Sequence, residues 1–237
     1  MKRHRYIVIL LILVTLFILI GHFILSNGNL KKRYLNVYFK SKNTSFIIHV
    51  EVDNKLLHLI DRESKQVLKK YPVATGKPSS PTPLGTYEIA DMGKWGQGFG
   101  SRWMGLNVPW GIYGIHGTNK PGSIGFNASA GCIRMRNNDI EDLYERVGVG
   151  TIVVITNGYY GPFGYGYRDL IPGDRGADVL EVQKRLASIG YYEGTLDGIY
   201  GETMKKGLID YLNDNNIPLT DKVSKDIYES LGIILME

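Results

Sequence analysis

A chain of 237 residues with a hydrophobic content of 43% is long enough for one large or two small domains with buried cores. Its formal net charge of +5 suits an anionic wall or membrane surface, and because no nucleic-acid motif is present we predict no nucleic-acid partner. The single cysteine excludes an internal disulfide and argues against a cysteine-based metal site. No glycine-rich phosphate-binding motif is present, and we predict neither a metal nor an organic cofactor.

The amino-terminal segment is basic and then strongly apolar. Three basic residues within the first five precede residues 6–25, which contain no Lys, Arg, Asp or Glu. A helix of that length spans about 30 Å, the thickness of one bilayer core. We predict a single transmembrane helix within residues 1–26 and a polar stalk at residues 27–43; a cleaved signal peptide is the alternative. Basic residues at the amino end favour that end inside, whereas those at 31–33 disfavour it.

Short strands are predicted to begin at residue 45. Runs rich in β-branched or apolar residues predict strands at 46–52, 56–60, 66–74, 86–90 and 151–156. Residues 92–110 are dense in glycine and aromatic residues and are predicted to form a loop that covers a cleft or simply packs. Residues 139–147 have the apolar spacing of a helix. Many short strands with one helix predict a mostly β domain at residues 44–156, a sandwich or a partly closed barrel.

The stretch from His116 to Arg136 holds the only cysteine, Cys132, at the end of a loop rich in Gly, Ser and Asn. A thiol with an ordinary pKa near ~8.5 is a good nucleophile at neutral pH only when a neighbour takes its proton, which an imidazole can do. The amides of Gly131, Cys132 and Ile133 are candidates to stabilise a developing oxyanion. The alternative interpretation is a buried free cysteine with a structural histidine.

Beyond residue 156 the pattern changes twice. Gly, Pro and Tyr dominate residues 157–173, which predicts a linker, with sugar stacking by its tyrosines as an alternative. Helical spacing then follows, with apolar positions at Val179, Val182, Leu186 and Ile189. A second helix is predicted at 202–212 and a third after Asp221, a candidate N-cap, with Gly232 as terminator. Residues 174–237 are therefore predicted to form a small all-α three-helix domain.

Two separated motifs in the β region resemble the signature of the L,D-transpeptidase catalytic domain of bacterial cell-wall enzymes. The resemblance covers roughly residues 45–155. Its residues are His116, Gly117 and Thr118, then Ser129, Gly131, Cys132, Ile133, Arg134 and Met135, and upstream Thr75-Gly76-Lys77 and Thr82-Pro83-Leu84-Gly85-Thr86-Tyr87. The chain departs from the pattern at Ala130, where many members carry a second histidine, so His116 is the only candidate base.

The resemblance implies an L,D-transpeptidase-type β-sandwich and a specific chemistry. Cys132 is the expected nucleophile, His116 takes and returns its proton, and the Gly117 carbonyl is a candidate to orient the imidazole. Oxyanion or substrate-binding roles are implied for Gly131, Ile133, Arg134, Ser129 and Thr118. The expected reaction releases D-Ala from a peptidoglycan stem peptide through a thioester and forms a cell-wall cross-link.

Residues 174–237 resemble the three-helix peptidoglycan-binding module, which implies contact with the glycan or stem peptides of the wall; a helical spacer is the alternative. An enzyme of the wall requires the catalytic part outside a bacterial cell membrane, so we predict a single-pass, extracytoplasmic arrangement. Two other functions remain open at this point. One is an L,D-carboxypeptidase, which sends the same thioester to water, and the other is a non-catalytic wall-binding or anchoring protein.

Overall fold

A computed structural model describes residues 45–94 and 96–235. The strands in these ranges are β1 Phe46–Glu51, β2 Leu56–Asp61, β3 Val67–Pro72, β4 Thr75–Gly76, β5 Gly85–Gly93, β6 Trp103–Leu106, β7 Tyr113–Gly117, β8 Asn127–Ser129, β9 Ile133–Met135 and β10 Ile152–Thr156. The helices are α1 Asn137–Arg146, α2 Ala177–Ser188, α3 Glu202–Asp214 and α4 Lys225–Ser230, with short 3₁₀ turns at Gln97–Phe99, Pro121–Ser123 and Gly161–Phe163.

Eight strands form one sheet in the order β3-β2-β1-β10-β5-β6-β7-β9, and β4 pairs with β8 in a separate two-stranded ladder. The pairs β1–β10 and β7–β9 are parallel, and the other pairs of the large sheet are antiparallel. Strand β5 pairs with β10 through its first residues and with β6 through its last, so it joins the two halves of the sheet. Residues from both halves enter one buried core with α1. The predicted mostly β domain is confirmed.

The structure differs from the prediction in the aromatic loop at residues 92–110. This stretch contains β6, and all four residues of Trp103–Leu106 are buried. A strand that is covered on both faces lacks the polar–apolar alternation that marks a half-buried strand, so the sequence pattern gave no strand signal there. Strand β5 also continues to Gly93, beyond its predicted end at residue 90.

The carboxy-terminal part has its own core, which α2, α3 and α4 build as predicted. The segment 157–173, predicted as a linker, is packed along much of its length. Tyr167 stacks on Tyr228 of α4 with ring centroids 4.8 Å apart, and Phe163 meets the same ring edge-on. Leu170 is fully buried and bridges to Val223. These contacts join residues far apart in the chain, so local composition does not reveal them.

The third helix starts later than predicted. Its N-cap residue is Ser224, not Asp221. Because Val223 pairs with Leu170 in an extended bridge, the chain cannot become helical before residue 224. Asp221 instead accepts a hydrogen bond from the Tyr200 hydroxyl through its carbonyl and forms an ion pair with Lys205.

The helical part packs directly on the β part. Ala177 belongs to the core cluster of the β part, and Leu180 and Ile199 pack against it. The indole of Trp110 lies on Gly198, where an added Cβ would be 2.4 Å from the ring. No helix among the described residues is long and apolar enough to cross a bilayer. The predicted anchor at residues 6–25 and the stalk at 27–43 lie outside the described residues.

Candidate active site

Strands β7 and β9 bring the two ends of the motif together. In their parallel ladder Ile115 pairs with Ile133 and His116 with Arg134. Ile115 and Ile133 are buried in the core, so His116 and Arg134 occupy the opposite face because strand side chains alternate. Cys132 directly precedes β9, and its sulfur interacts with the backbone of Gly114, two residues before His116 on β7. The pairing of β7 with β9 therefore brings the two ends of the motif together.

The imidazole of His116 is held on several sides. Its Nδ1 lies 2.5 Å from the carbonyl oxygen of Gly117. Since a carbonyl only accepts, Nδ1 carries the proton and Nε2 keeps its lone pair. The ring stacks on Trp103 at 5.8 Å between centroids and meets Phe99 edge-on at 5.1 Å. The Gly117 carbonyl thus lies where the sequence prediction puts it, and the tautomer it fixes suits a general base.

Trp103 is a site residue that the sequence analysis did not identify. Its Nε1 donates a hydrogen bond of 2.9 Å to Oδ2 of Asp91 on β5. The indole fits because Gly114 has no side chain; an added Cβ would lie 2.7 Å from the ring. Gly105 likewise leaves room for the carboxylate of Asp91, which would lie 2.0 Å from a Cβ there. The only sequence signal was the density of aromatic residues and glycines before the His116 strand.

Burial shifts the pKa values of the two reactive groups in opposite directions. It lowers the pKa of His116, against smaller raising effects from hydrogen bonds to the backbone of Gly117 and Phe99. It raises the pKa of the Cys132 thiol, against smaller lowering effects from the Gly114 backbone and the Arg134 charge. In both groups burial therefore acts against the charged form.

Ser129 holds the loop that presents the cysteine. Its buried hydroxyl donates to the carbonyl of Cys132 at 2.5 Å and accepts from the Gly131 amide at 3.1 Å. The Gly131 amide, a predicted oxyanion donor, therefore already has an acceptor. Ile133 lies within the β7–β9 ladder. Cys132 lies between these two residues, immediately before β9.

Gly131 is required by both conformation and space. Its φ of +113° lies in the region that favours glycine. An added Cβ would lie 2.6 Å from the ring of Tyr113, which packs against this turn. The turn before Cys132 is thus fitted to Tyr113 on β7.

Thr118 and Arg134 complete the predicted set. Thr118 is buried, and its hydroxyl accepts from the Lys120 amide at 3.1 Å, which holds the turn after β7. The backbone amide and carbonyl of Arg134 both pair with Ala74 at 2.9 Å. Its charge acts on His116 and on Cys132.

The upstream motif supports the cysteine loop from the side. The Lys77 amide donates to the Ser129 carbonyl at 3.0 Å, and the Gly76 amide donates to the Thr82 hydroxyl at 2.8 Å. Gly76 has to be glycine, because an added Cβ would lie 2.4 Å from the Ser80 carbonyl oxygen. Lys77 and Ser129 lie 52 positions apart in the sequence, so these contacts join the two motifs into one structure. Within the described part of the chain, no group of three or more His, Cys, Asp or Glu is placed to hold a metal ion.

Two sequence families match the chain. The L,D-transpeptidase catalytic domain (YkuD) matches residues 45–155, and the "Putative peptidoglycan binding domain" matches residues 175–231.

Curated relatives match the first of these regions. "Putative L,D-transpeptidase YkuD" of Bacillus licheniformis is 42% identical over 110 residues, which is 46% of this chain and 64% of that protein. The Bacillus subtilis protein of the same name is 44% identical over 93 residues, 39% of this chain and 56% of that protein. "Putative L,D-transpeptidase YqjB" of Bacillus subtilis is 34% identical over 128 residues, 47% of this chain and 71% of that protein. The chain thus spans less than two thirds of either YkuD relative.

A solved structure, "L,D-transpeptidase from Mycobacterium smegmatis", aligns with 47% of this chain and 58% of that chain. The identity is 23% and the TM-score 0.40.

Proposed function

The chain belongs to the L,D-transpeptidase family, and on that premise we propose that it is a peptidoglycan L,D-transpeptidase that works through a thioester on Cys132. The observation that supports the proposal is the contact of Nδ1 of His116 with the Gly117 carbonyl, on a strand that pairs with the segment directly after Cys132. That contact leaves Nε2 free to accept a proton from the Cys132 thiol.

The acylation step follows from these positions. The Cys132 thiol gives its proton to Nε2 of His116, and the sulfur attacks the carbonyl carbon that links the third stem residue to the terminal D-Ala. The Cys132 amide donates to the oxyanion as it develops. When the carbon–nitrogen bond breaks, the imidazolium returns the proton to the leaving amine, which departs as free D-Ala. A thioester on Cys132 remains.

The second half-reaction reverses the proton path. An amine of a neighbouring stem peptide attacks the thioester carbonyl while His116 takes its proton. The new amide bond is the cross-link, and the sulfur leaves with a proton from His116. Because burial acts against charge on both groups, proton transfer during attack on the donor is favoured over transfer before it. Arg134, with its fixed planar charge, is suited to hold a carboxylate or carbonyl of the substrate on the same face.

The test is intact-protein mass spectrometry of the detergent-solubilised full chain with a disaccharide-tetrapeptide. We expect a thioester adduct and free D-Ala in the wild type, and neither with Cys132→Ala. Release by Cys132→Ser should fall at least ~10³-fold, the scale of losing a catalytic nucleophile. A Cys132→Ala protein that releases D-Ala at the wild-type rate would rule the proposal out.

The products distinguish the alternatives. Cross-linked dimers indicate the transferase, whereas accumulation of the tripeptide alone indicates an L,D-carboxypeptidase. A folded wild-type protein that forms no adduct but sediments with wall sacculi indicates a non-catalytic anchoring protein. The match of residues 175–231 to a peptidoglycan-binding family supports wall attachment in all three cases.

We further propose that residues 6–25 anchor the chain in the bacterial cell membrane with the catalytic part facing the wall. The support is the uncharged run of residues 6–25 and the extracytoplasmic location of the substrate. Protease added to intact protoplasts should remove the catalytic part and leave a short membrane-bound fragment. Protection of the whole chain from the protease would contradict this orientation.

A further inference from the structure

A cleft lies where the β part and the helical part meet. It has a volume of about 760 Å³ and is distinct from the surface that carries Cys132 and His116, neither of which lines it. One wall is the loop at residues 76–84, and the other is formed by segments around Tyr165 and Arg175. Both halves of the described chain are therefore needed to form it.

Side-chain contacts fix the walls of this cleft. Trp110 lies on Gly198 at the junction, as described above, and it also lines the cleft. The hydroxyl of Tyr165 donates to Asp53 at 3.1 Å, a contact between the helical side and the β side. Arg168 is held by Asp178 at 2.9 Å. The cleft is consequently a preformed space rather than a gap between freely moving parts.

Charge in the cleft is unbalanced. Four basic side chains line it, Lys55, Lys77, Arg168 and Arg175, against two acidic ones, Asp53 and Asp178. Arg168 is paired with Asp178, and Lys55 donates to the Val52 carbonyl. Lys77 and Arg175 form no ion pair with any residue that the structure describes. These two charges belong to opposite walls, so the space between them suits an extended anionic ligand.

The cleft is continuous with the support of the cysteine loop. Tyr113 lines it, and the same ring packs against Gly131, the residue before Cys132. Lys77 lines the cleft, and its amide donates to the Ser129 carbonyl. An occupant of the cleft would therefore lie against the back of the loop that presents the nucleophile.

We infer that the cleft is a second binding site for an acidic stem peptide of peptidoglycan, whose free carboxylates pair with Lys77 and Arg175. This inference rests on the proposed function, which supplies a substrate that ends in a carboxylate. A stem peptide provides both negative charge and an extended backbone. The glycan offers only uncharged hydroxyl groups and would leave Lys77 and Arg175 without an anionic partner. Residues of both the β part and the helical part would then hold the same peptidoglycan strand while Cys132 reacts.

The test measures where a disaccharide-tetrapeptide binds the full-length Cys132→Ala chain. Hydrogen exchange should slow at residues 163–178, on the helical wall and away from Cys132, when the ligand is added. Lys77→Gln and Arg175→Gln should each weaken this binding about fivefold, the upper range for an exposed ion pair. The double variant should weaken it more than about tenfold if the two contacts are independent. Lys206→Gln, an exposed charge on α3 outside the cleft, should have no effect.

A matched ligand with its carboxylates converted to carboxamides should give no protection at residues 163–178. Equal protection by both ligands, or equal affinity of the double variant and Lys206→Gln, would overturn the inference.

The rate of D-Ala release by the Lys77→Gln/Arg175→Gln chain that retains Cys132 distinguishes the failure of this inference from the failure of the proposed function. If this chain still forms the thioester but loses cleft binding, both stand. If the wild type fails to release D-Ala while cleft binding still follows charge, only the proposed function fails.

Discussion

The guanidinium of Arg134 acts on both members of the proposed catalytic pair, since its charge lowers the pKa of His116 and of Cys132. Replacing it by glutamine should raise both pKa values. A histidine with a higher pKa becomes protonated, and loses its base function, at a higher pH. The acid limb of D-Ala release against pH, expected below ~6.5 in the wild type, should therefore move upward.

The alkylation of Cys132 by iodoacetamide provides the second measurement for Arg134→Gln. Its midpoint on the pH axis should also move upward, because the thiolate loses a stabilising charge. Arg134→Lys retains the charge and should leave both profiles close to those of the wild type. Unchanged profiles in Arg134→Gln would mean that the guanidinium does not affect the pair.

Individual residues differ in how far the sequence reveals them. Cys132 and His116 stand out because each is a rare residue type and adjoins glycine in a recognisable motif. The Gly117 carbonyl could be predicted as a partner of His116 because Gly117 is the next residue in the chain. Trp103 contacts His116 only because β6 pairs with β7, and Asp91 reaches Trp103 only through β5. Such contacts depend on strand order, which local composition does not encode.

The turn before Cys132 is an element whose shape the site requires. Gly131→Ala introduces an unfavourable φ and a contact with Tyr113, so it should cost about 1–3 kcal/mol of stability. A displacement of about 1 Å in the loop should lower D-Ala release by roughly 100-fold. Gly125→Ala, just before β8, is the matched control, because its φ is +93° but no atom lies within 4 Å of the added Cβ.

The unfolding free energy and the rate of D-Ala release should be measured for both glycine variants. The control carries the conformational strain without the contact. If Gly131→Ala and Gly125→Ala behave alike, the packing of Tyr113 on the turn has no functional consequence.

Helix α1 is tied to the far edge strand by a cluster around Asp142. Its carboxylate accepts from Tyr71 at 2.5 Å and from Lys69 at 2.9 Å, both on β3, and pairs with Arg146 at 2.9 Å. The hydrogen bond from Arg146, followed by that from Tyr71, lowers the pKa of Asp142. Since α1 follows β9 at one end of the sheet and β3 forms the other end, this cluster links the two ends of the sheet.

Asp142→Asn should therefore destabilise the protein by about 1–2 kcal/mol at pH 7. A lowered carboxyl pKa contributes stability above the unfolded value of ~3.9 and loses it as the pH falls toward the folded value. The difference between variant and wild type in urea unfolding should shrink between pH 4 and pH 2. Glu145→Gln, the same charge change on α1, should show little difference at either pH.

The elements that could be predicted from the sequence are those whose apolar residues recur at a regular spacing. The apolar spacing located α1, α2 and α3 to within a few residues, and the β1–β2 hairpin followed from its turn. Strand β6 was missed because it is buried on both faces, and α4 was started too early because the Leu170–Val223 bridge is a tertiary contact. The spacing of apolar residues within a short segment does not reveal which distant segment that segment pairs with.

At the scale of the whole molecule, the two halves share buried surface at Trp110 and Gly198. Gly198 has a φ of +67°, and an added Cβ would meet the indole at 2.4 Å. Gly198→Ala should loosen the junction and split thermal unfolding in calorimetry into two transitions. Gly190→Ala, with φ +86° and open space around it, should lower the unfolding temperature of the helical part without separating the transitions. A single shifted transition in Gly198→Ala would show that the contact between Trp110 and Gly198 is not what couples the halves.

The parallel pairing of β1 with β10 places strands from the two ends of the catalytic part side by side in the middle of the sheet. One contact across this pair, between His49 and Thr156 at 2.9 Å, joins positions 107 residues apart. Closing a loop of that length delays the pairing, and such non-local sheets fold in about milliseconds to seconds. The β1–β2 hairpin therefore gains its second neighbour only when residues up to 156 are available, so the sheet that contains His116 is complete only after β10 has joined it.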